Sequence, residues 1–398
     1  MFCSFVPDLA TFLLPRFQLF GEVMDYDIAV IPGDGIGPEV IGETMKVLSA
    51  TSKIFGFDLK FETLPYGAGY YLKHKEVLPS GALERLAGFK ALLLGAVGDP
   101  RVPPGPLEQE LLLALRFHFD QFLNLRPAQT YPNVPIPLGG NISIDIDVVR
   151  ENTEDFYMGL GAPFSGSYTG DLAAGRGEYE FTSKVEIQVS PPRDCAFALG
   201  LLTQPAVERI AHRAFKLAEK RGENSLHVAT KANALPQFYG LWDEWTAKTA
   251  KNYPNIKLKK INVDNLCYQL PRTPAEFGVI LCPNLFGDIV SDLVSALTGG
   301  LGLAASGNIG DGLCMFEPVH GSAPDIAGTG RSNPLAAILS GAMLLEHIGQ
   351  IPASSAVKQA VRDYLSGGQN FPYELGGETP FDQVGDLVTA KLMSQKYA

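Results

Sequence analysis

Cysteine is scarce in this chain, and the few cysteines follow no recognisable pattern. There are five of them, Cys3, Cys195, Cys267, Cys282 and Cys314, and no two have the spacing of a CxxC motif. An odd and scattered set of this kind gives neither a regular disulfide framework nor a zinc-binding motif. Reduced thiols are typical of the cytoplasm, so we expect a cytoplasmic protein.

Basic residues are outnumbered by acidic ones. The chain has 32 lysines and arginines against 43 aspartates and glutamates, which gives a formal net charge of -11. Such a surface has no general attraction for nucleic acid or for anionic lipid. We therefore expect a small-molecule partner and no nucleic acid, and an anionic substrate would have to be held by local arginines.

The chain also lacks any apolar run of the ~18 residues needed to span a bilayer. Its most apolar stretch, residues 1–24, is interrupted by Asp8, Pro15 and Arg16 and has no basic start or small-residue cleavage site. Met24 directly precedes the first convincing strand. We expect residues 1–24 to be an N-terminal extension or a misassigned start, and we expect no membrane partner.

Length and composition predict two globular domains of the α/β class. A chain of 398 residues that is 46% hydrophobic is too long for a single core. Residues 27–32 (DIAVIP) predict a buried strand, and the turn GDGIGPE leads from it into a helix through residues 40–50. This alternation of strand, turn and helix is typical of α/β proteins.

Glycine and proline residues interrupt the predicted helices and strands in the rest of the chain. A helix is predicted over residues 111–122, and the prolines of the following NLRPAQTYPNVP should break regular structure. The Gly and Ser content of residues 165–189 predicts an irregular hairpin or arm. After Gly299-Gly300 the chain should be rich in loops, and it should then end in helices at 334–348 and 354–365.

Two aspartates in NLFGDIVSD are candidates for a metal site. Asp288 and Asp292 are four residues apart in an apolar helical pattern, which places both on one helix face. Two carboxylates directed into apolar surroundings repel each other, and their oxygen ligands suit Mg2+ or Mn2+. A solvated helix that carries two acids is the alternative when the pair is considered alone.

Three arginines and two possible proton carriers accompany them. Arg116, Arg126 and Arg150 stand in the apolar segments LLLALRF, FLNLRP and VVREN, and arginine pairs carboxylates bidentately. Together they suggest a di- or tricarboxylate ligand, whereas each alone could form an ordinary ion pair. Tyr157 and Lys231 are candidates for proton transfer, although either alone could be a surface or packing residue.

Two glycine-rich segments bear on nucleotide binding. GDGIGP follows a strand, but it has Pro38 where a dinucleotide fingerprint requires glycine, so it does not indicate a Rossmann domain. The segment EPVHGSAPDIAGTGRSNP, residues 317–334, cannot form a regular element, and long loops in compact domains are usually functional. Asp325 within it could accept hydrogen bonds from a ribose diol.

Taken together, these motifs resemble the β-decarboxylating dehydrogenases, the family that contains isopropylmalate, tartrate/D-malate, homoisocitrate and isocitrate dehydrogenases. The motifs that carry the resemblance keep the family's order from about residue 26 to 350: GDGIGPE, GAVGDP, LLLALRF, NLRP, VVRENTEDFY, TKAN, VDNLC, NLFGDIVSD and HGSAPDIAGTGRSNP. The resemblance implies a two-domain fold that is not Rossmann. Its nucleotide-binding domain would comprise residues 25–121 and 299–398. Residues 122–298 would form a second domain with the dimer interface and an arm.

The resemblance also implies roles for individual residues. Asp288 and Asp292 would bind the metal together with Asp264 of a partner subunit, and Lys231 would also reach across from that partner. The shared active site would therefore require a homodimer. Arg116, Arg126 and Arg150 would hold the malate carboxylates, and Tyr157 would protonate C3 after CO2 leaves. NAD would be held by His320, Gly321, Ser322, Ala323, Asp325 and Asn333.

The expected reaction is NAD-dependent and divalent-metal-dependent oxidative decarboxylation of a 3-substituted malate. Leu112 and Leu113, four and three residues before Arg116, match the family's pocket for an isopropyl group, which favours 3-isopropylmalate and leucine biosynthesis. RENTED, ATK and the Asp-x-Leu-Cys of VDNLC look more like tartrate/D-malate dehydrogenases, which is the alternative. A third possibility is a catalytically silent regulatory subunit. The presence of all these side chains argues against it.

Overall fold

The computed structural model describes residues 24–140, 142–176 and 179–397, so Cys3 and nearly all of the expected N-terminal extension lie outside the described residues. The strands are β1 Asp25–Ile31, β2 Asp58–Thr63, β3 Ala91–Leu94, β4 Leu123–Gln129, β5 Asp145–Glu151, β6 Asp155–Ser165, β7 Ser167–Arg176, β8 Tyr179–Gln188, β9 Asp194–Leu201, β10 Ser225–Thr230, β11 Lys257–Asn262, β12 Val279–Cys282, β13 Ala305–Ile309 and β14 Met315–Pro318. The helices are α1 Gly37–Phe55, α2 Ala68–His74, α3 Ala82–Leu86, α4 Ala114–His118, α5 Gln204–Arg221, α6 Pro236–Ala250, α7 Val263–Gln269, α8 Asn284–Leu297, α9 Leu335–His347, α10 Ile351–Ser366 and α11 Phe381–Ser394. A π-helical turn spans Glu108–Leu113, and short 3-10 turns span Pro274–Glu276, Leu301–Leu303 and Tyr373–Leu375.

One large sheet runs through the molecule. Its ten strands have the order β11-β10-β12-β5-β4-β13-β14-β3-β1-β2. Neighbours are parallel except that β4 is antiparallel to β5 and β13, and β13 is antiparallel to β14. The predicted α/β class is thereby confirmed, and this mixed order differs from that of a Rossmann sheet.

The sheet joins segments that are far apart in sequence. Strands β1–β3 from the start of the chain lie beside β13 and β14 from its last hundred residues, while β4, β5 and β10–β12 form the other end. This arrangement is what a nucleotide-binding domain assembled from residues 25–121 and 299–398 would require. The domain boundaries themselves stay a prediction.

Alternation along the strands assigns side chains to two faces. On β5, Val148 packs with residues of α8, whereas Val149 packs with residues of α5, so these helices cover opposite faces of the sheet. Arg150 has the same parity as Val148 and therefore points toward α8. This geometry decides which helix can meet which strand residue.

The prolines of NLRPAQTYPNVP were expected to break regular structure, and this prediction was wrong for its first half. Leu123–Gln129 is strand β4, and Pro127 pairs with Asp147. The backbone N–H of Asp147 donates to Gly278 on the other side of β5, so Pro127 directs its nitrogen away from β5. There β4 pairs with β13 only through residues 123–125, so the missing N–H costs no ladder hydrogen bond.

Three other expectations need correction. The arm is regular, because β7 and β8 pair in continuous antiparallel register. The helix expected over residues 111–122 begins as the π-helical turn at Glu108 and ends at His118. The part after Gly300 contains β13 and β14, whose short segments have buried residues on both faces and so lack the alternation that marks a strand.

The turn after β1 is shaped by close backbone packing. Gly35 has φ +57, and a Cβ atom on it would lie 2.0 Å from the carbonyl oxygen of Ser322. That same carbonyl accepts a hydrogen bond of 2.8 Å from the N–H of Ile36. The glycine turn therefore holds the loop of residues 319–334 against the start of α1.

We predict that Gly35→Ala destabilises the protein by at least about 2 kcal/mol, because it adds both a steric clash and an unfavourable φ. Denaturant unfolding measures the loss. Gly42 in α1 is the matched control, since a Cβ there meets nothing within 4 Å. Gly42→Ala should stabilise by about 0.5–1 kcal/mol, and equal effects of the two changes would contradict the packing argument.

Candidate active site

The three predicted arginines are all buried, and the structure brings them together. Arg116 is 7%, Arg126 9% and Arg150 1% exposed. Arg126 and Arg150 both contact the same carboxylate oxygen, Oδ1 of Asp288, at 3.5 and 2.5 Å. Burial lowers the pKa of Arg150 to about 10, and the charges of Arg126 and Arg116 add to that effect. Buried arginines that repel one another are poised to bind an anion.

Asp288 and Asp292 lie on one face of α8, as their spacing predicted, and this face meets the arginine group. Their side chains are 39% and 55% exposed, and Asp292 lies 3.3 Å from Arg126. Burial would raise the pKa of Asp288, but the Arg150 and Arg126 charges outweigh it and hold that pKa below its usual value. Burial and the Asp288 charge raise the pKa of Asp292. The negative charge of Asp292 is thus less completely neutralised by the arginines than that of Asp288.

The position of α8 is fixed by contacts at its first turn. Asp155 accepts a hydrogen bond of 2.9 Å from the N–H of Leu285, and Asn284 accepts one of 3.0 Å from Nε of Arg150. A Cβ on Gly287 would lie 2.5 Å from Cγ of Arg150. The helix can approach the arginine only because this position has no side chain.

Tyr157 adjoins the same cluster. Its hydroxyl donates a hydrogen bond of 2.9 Å to Oδ2 of Asp288, and its ring lies 5.0 Å from the guanidinium carbon of Arg150. Burial raises the pKa of the phenol, and the Asp288 charge raises it further against the opposing effect of Arg150. The phenol therefore keeps its proton over the neutral range and can serve as a proton donor.

Lys231 and Asp264 lie together but apart from this cluster. Nζ of Lys231 is 2.5 Å from the carboxylate of Asp264, and both side chains reach solvent. None of the hydrogen bonds or ion pairs of the described residues connects this pair to Asp288, Asp292 or the arginines. Within one chain, the predicted site residues therefore form two separate groups.

The carboxylates on α8 fit a divalent cation in part. Both offer hard oxygen ligands at a partly exposed position. Burial, and then repulsion from Asp288, raises the pKa of Asp292, and a bound cation would offset both effects. Over the described ranges, no three His, Cys, Asp or Glu side chains of one chain are grouped to hold a metal ion. Two ligands from α8 therefore leave a third to come from elsewhere.

The predicted pocket leucines lie on the π-helical turn that leads to Arg116. Leu112 and Leu113 are both partly exposed, and Leu112 packs against the core cluster that contains Leu111 and Leu115. Arg116 itself is 3.3 Å from Glu317 on β14, and its Nε has no partner although it is buried. An apolar pair thus precedes an arginine with an unused donor.

The loop of residues 319–334 is the candidate nucleotide site. Nδ1 of His320 contacts the carbonyl of Gly321 at 3.1 Å, and burial lowers the pKa of the imidazole. A neutral ring that donates from Nδ1 leaves Nε2 as an acceptor, and this buried atom has no partner. Asp325 is exposed, Ser322 is buried and Ala323 has φ 39. The loop thus offers an unused acceptor and an exposed carboxylate, which fit a nucleoside.

The side chain of Asn333, which was expected to bind NAD, is engaged in hydrogen bonds within the chain. Its Oδ1 accepts from the N–H of Leu335 at the start of α9, and its amide donates to Glu374 at 3.0 Å. Glu374 also accepts a hydrogen bond of 2.9 Å from the N–H of Gly302. The side chain of Asn333 therefore fastens the end of the loop to α9 and to the segment before α11.

The sequence analysis missed several residues that shape the site. Glu39 in α1 accepts hydrogen bonds from the N–H of Gly328 and the hydroxyl of Ser332, and it thereby holds the loop of residues 319–334. Asp34 binds the N–H groups of Ala68 and Gly98. Both acids belong to GDGIGPE, so the presence of two carboxylates in a glycine turn was the available signal.

Glu317 was missed as well, and it belongs to a buried polar network between the arginines. It accepts from Arg116 and, at 2.8 Å, from the amide of Asn308, which in turn accepts from Asn124 at 2.9 Å. Asn124 accepts from Nε of Arg126 at 2.8 Å. The network fixes both guanidinium groups before any ligand binds.

Comparison with known proteins places the chain in a family. The isocitrate/isopropylmalate dehydrogenase family matches this chain over residues 27–390. The chain belongs to this family, and the resemblance inferred from the motifs is confirmed. None of the helices in the described ranges is both long and apolar enough to cross a membrane.

Individual relatives cover almost the whole chain. The chain is 41% identical to the 3-isopropylmalate dehydrogenase of Streptomyces griseus over 92% of its own length and 99% of the relative. It is 42% identical to that of Mycolicibacterium gilvum, with the same coverage. Among solved structures, isocitrate dehydrogenase from Methylococcus capsulatus superimposes with a TM-score of 0.80 at 31% identity, covering 92% of this chain and 99% of that one.

We predict that Asp155 makes stability depend on pH. Burial raises its pKa to about 6 from the usual 3.8, so between these values the folded state binds a proton that the unfolded state has lost. Stability should therefore fall as pH rises from about 4 to about 6, by up to about 3 kcal/mol, since one pKa unit is about 1.4 kcal/mol.

Asp155→Asn retains an acceptor for Leu285 and removes the titration. Urea unfolding of both proteins at several pH values should show the variant gaining stability relative to wild type across this window. A difference that does not change with pH would rule out Asp155 as the source.

Proposed function

We propose that this protein catalyses the NAD-dependent, divalent-metal-dependent oxidative decarboxylation of 3-isopropylmalate to 2-oxoisocaproate, a reaction of leucine biosynthesis. The observation that carries the proposal is the group of three buried arginines facing two partly exposed carboxylates on α8. Relatives named 3-isopropylmalate dehydrogenase, at 41% and 42% identity, support this substrate. A dicarboxylate neutralises the arginines, and the partly exposed Leu112 and Leu113 offer apolar surface to an isopropyl group.

The arginines hold the substrate in place. Arg116 has an unused Nε donor, and Arg126 and Arg150 now share Asp288. When the substrate carboxylates arrive, these guanidinium groups can turn part of their hydrogen bonding from Asp288 to the ligand. Because Asn124, Glu317 and Asn284 hold the arginines from behind, little ordering remains to be done at that moment.

Two residues move protons. The partner's Lys231 takes the proton of the C2 hydroxyl, and Tyr157 gives a proton to C3 after CO2 departs. The raised pKa of Tyr157 keeps the phenol protonated for this step. Its hydrogen bond to Asp288 fixes the oxygen beside the carboxylate pair.

The cofactors are assigned by the donor sets. Asp288 and Asp292, with the partner's Asp264, would hold Mg2+ or Mn2+, which would polarise the C2 hydroxyl and stabilise the enolate. Residues 320–333 would hold NAD, which would accept the hydride. Asp325 would receive the ribose hydroxyls and repel a 2'-phosphate, so NAD is favoured over NADP.

The separation of the site residues into two groups supports a homodimer. A homodimer would bring Lys231 and Asp264 of one chain to the α8 cluster of the other, with residues 25–121 and 299–398 binding the nucleotide and residues 122–298 forming the interface. We place the enzyme in the cytoplasm. The four cysteines that the structure describes are free thiols, which supports a reducing compartment.

We predict a preference for 3-isopropylmalate over D-malate and tartrate when all three are assayed with NAD and Mn2+. Burying the isopropyl group should contribute about 2 kcal/mol, which is roughly thirtyfold in kcat/KM. A higher kcat/KM with D-malate or tartrate would favour the tartrate/D-malate alternative. No NADH from any malate would identify a silent regulatory subunit.

The pocket assignment is tested with the same assay. Leu113→Ala should lower kcat/KM for 3-isopropylmalate and leave that for D-malate nearly unchanged. Ile351→Ala is the control, because Ile351 is 60% exposed on α10 and should affect neither substrate.

We also predict that mixing two inactive variants restores part of the enzymatic activity. Mixing Lys231→Ala with Asp288→Asn and allowing subunits to exchange gives heterodimers with one intact site, so about a quarter of wild-type activity should return. The matched control mixes Lys231→Ala with Asp264→Asn. Both of these lesions lie in the group donated to the partner, so every site of the control heterodimer is damaged. Recovery in neither mixture, or in both, would contradict the shared site.

A further inference from the structure

A cavity lies away from the carboxylates of α8. Its volume is about 350 Å3, and it is bounded by β4, β5, β13 and β14 below and by α5, α9 and α10 above. A neighbouring cavity of about 220 Å3 shares Met343 and Lys358 with it. Because α5 belongs to the middle of the chain and α9 to its last part, the cavity lies where the two ends of the sheet meet.

The cavity is on the opposite face of the sheet from the arginines. On β4 the side chain of Leu125 lines the cavity, while the adjacent Arg126 contacts Asp288. On β14 Phe316 lines it, while the adjacent Glu317 binds Arg116. Successive strand residues point to opposite faces, so the same strands carry both sites.

The base of this cavity is apolar. It is formed by Leu125, Leu217, Ile309, Phe316 and Met343. None of these side chains offers a charge or a strong hydrogen-bond donor. The base therefore suits the hydrocarbon part of a ligand.

At the rim, two lysines share a single glutamate. Lys220 of α5 and Lys358 of α10 both bind the single carboxylate of Glu346, at 2.8 and 2.7 Å. Burial opposes ionisation of Glu346, but the two lysines outweigh it and lower its pKa to about 2. Arg221 binds Asp147 at 2.7 Å and also contacts Asp145 and Glu223, so it adds no free positive charge to the rim. Two ammonium groups thus share one anion and can accept another.

We propose that this cavity binds an amphipathic monocarboxylate, with its hydrocarbon chain against Phe316 and Met343 and its carboxylate between Lys220 and Lys358. Lys220 and Lys358 together carry one more charge than Glu346, which selects a monoanion over a polyphosphate. A volume of about 350 Å3 is at the small end of ligand sites, so the hydrocarbon part must be short. The site is separate from the arginine group and does not depend on the proposed reaction.

Octanoate is the probe, titrated by calorimetry into the full-length wild-type protein. We expect saturable binding of one octanoate per chain, and roughly tenfold weaker binding of uncharged octanamide. Lys358→Gln should weaken octanoate binding roughly tenfold, whereas Lys358→Arg, which keeps the charge, should bind nearly as wild type. Lys248→Gln is the matched control, since Lys248 is also a half-exposed helix lysine paired with a glutamate.

Filling the apolar base gives an independent test. Met343→Trp should abolish octanoate binding by occupying the space, and Met343→Leu, which conserves volume, should retain it. Melting curves show whether each variant is folded. If Met343→Trp does not fold, the comparison of Lys358→Gln with Lys358→Arg decides the matter. Absence of saturable binding up to about 10 mM, or binding unchanged in folded Lys358→Gln, would overturn the proposal. Octanoate held instead by the arginines on the other face would give that second result.

Discussion

The contact between Arg150 and Asp288 is the constraint on which the site depends. A guanidinium that is almost wholly buried cannot remain without a partner, so β5 and α8 must meet where Asp288 can reach it. Gly287 allows the helix to approach, Asn284 accepts a hydrogen bond from Nε of Arg150, and Asp155 fixes the first turn. Once α8 is held there, its periodicity places Asp292 beside Arg126, and Tyr157 finds Asp288 within hydrogen-bonding distance.

The loop of residues 319–334 is positioned in a different way. Its residues form no helix or strand, so its shape comes from side chains of other elements that bind its backbone. Glu39 reaches it from α1, Glu374 holds Asn333, and the carbonyl of Ser322 packs on Gly35. A loop fastened at three places can be exposed and still present Asp325 in a defined position, so its ordering need not oppose ligand binding.

Periodicity and motif order predicted much of this structure, and contacts between distant segments account for what they missed. The strand, turn and helix of residues 25–55 and the pairing of two aspartates on one face of α8 follow from local patterns. Local patterns could not show that Asp288 binds Arg150, which is 138 residues away, or that Glu317 supports Arg116. Pro127 misled the prediction because its tolerance depends on where the neighbouring strand β13 stops pairing. The strands β13 and β14 were not predicted, because both of their faces are buried and their sequences therefore lack an alternating pattern.

The use of both faces of β4 and β14 restricts how this chain can change length. Inserting or deleting one residue in either strand would turn every later side chain to the other face. In β4, a change before Leu125 would turn Arg126 into the apolar cavity and Leu125 toward Asp288, so a single event would damage two surfaces at once. Substitutions can alter one face independently, whereas changes in length are confined to the connecting loops. Over evolutionary time these strands should therefore keep their number of residues longer than they keep their identity.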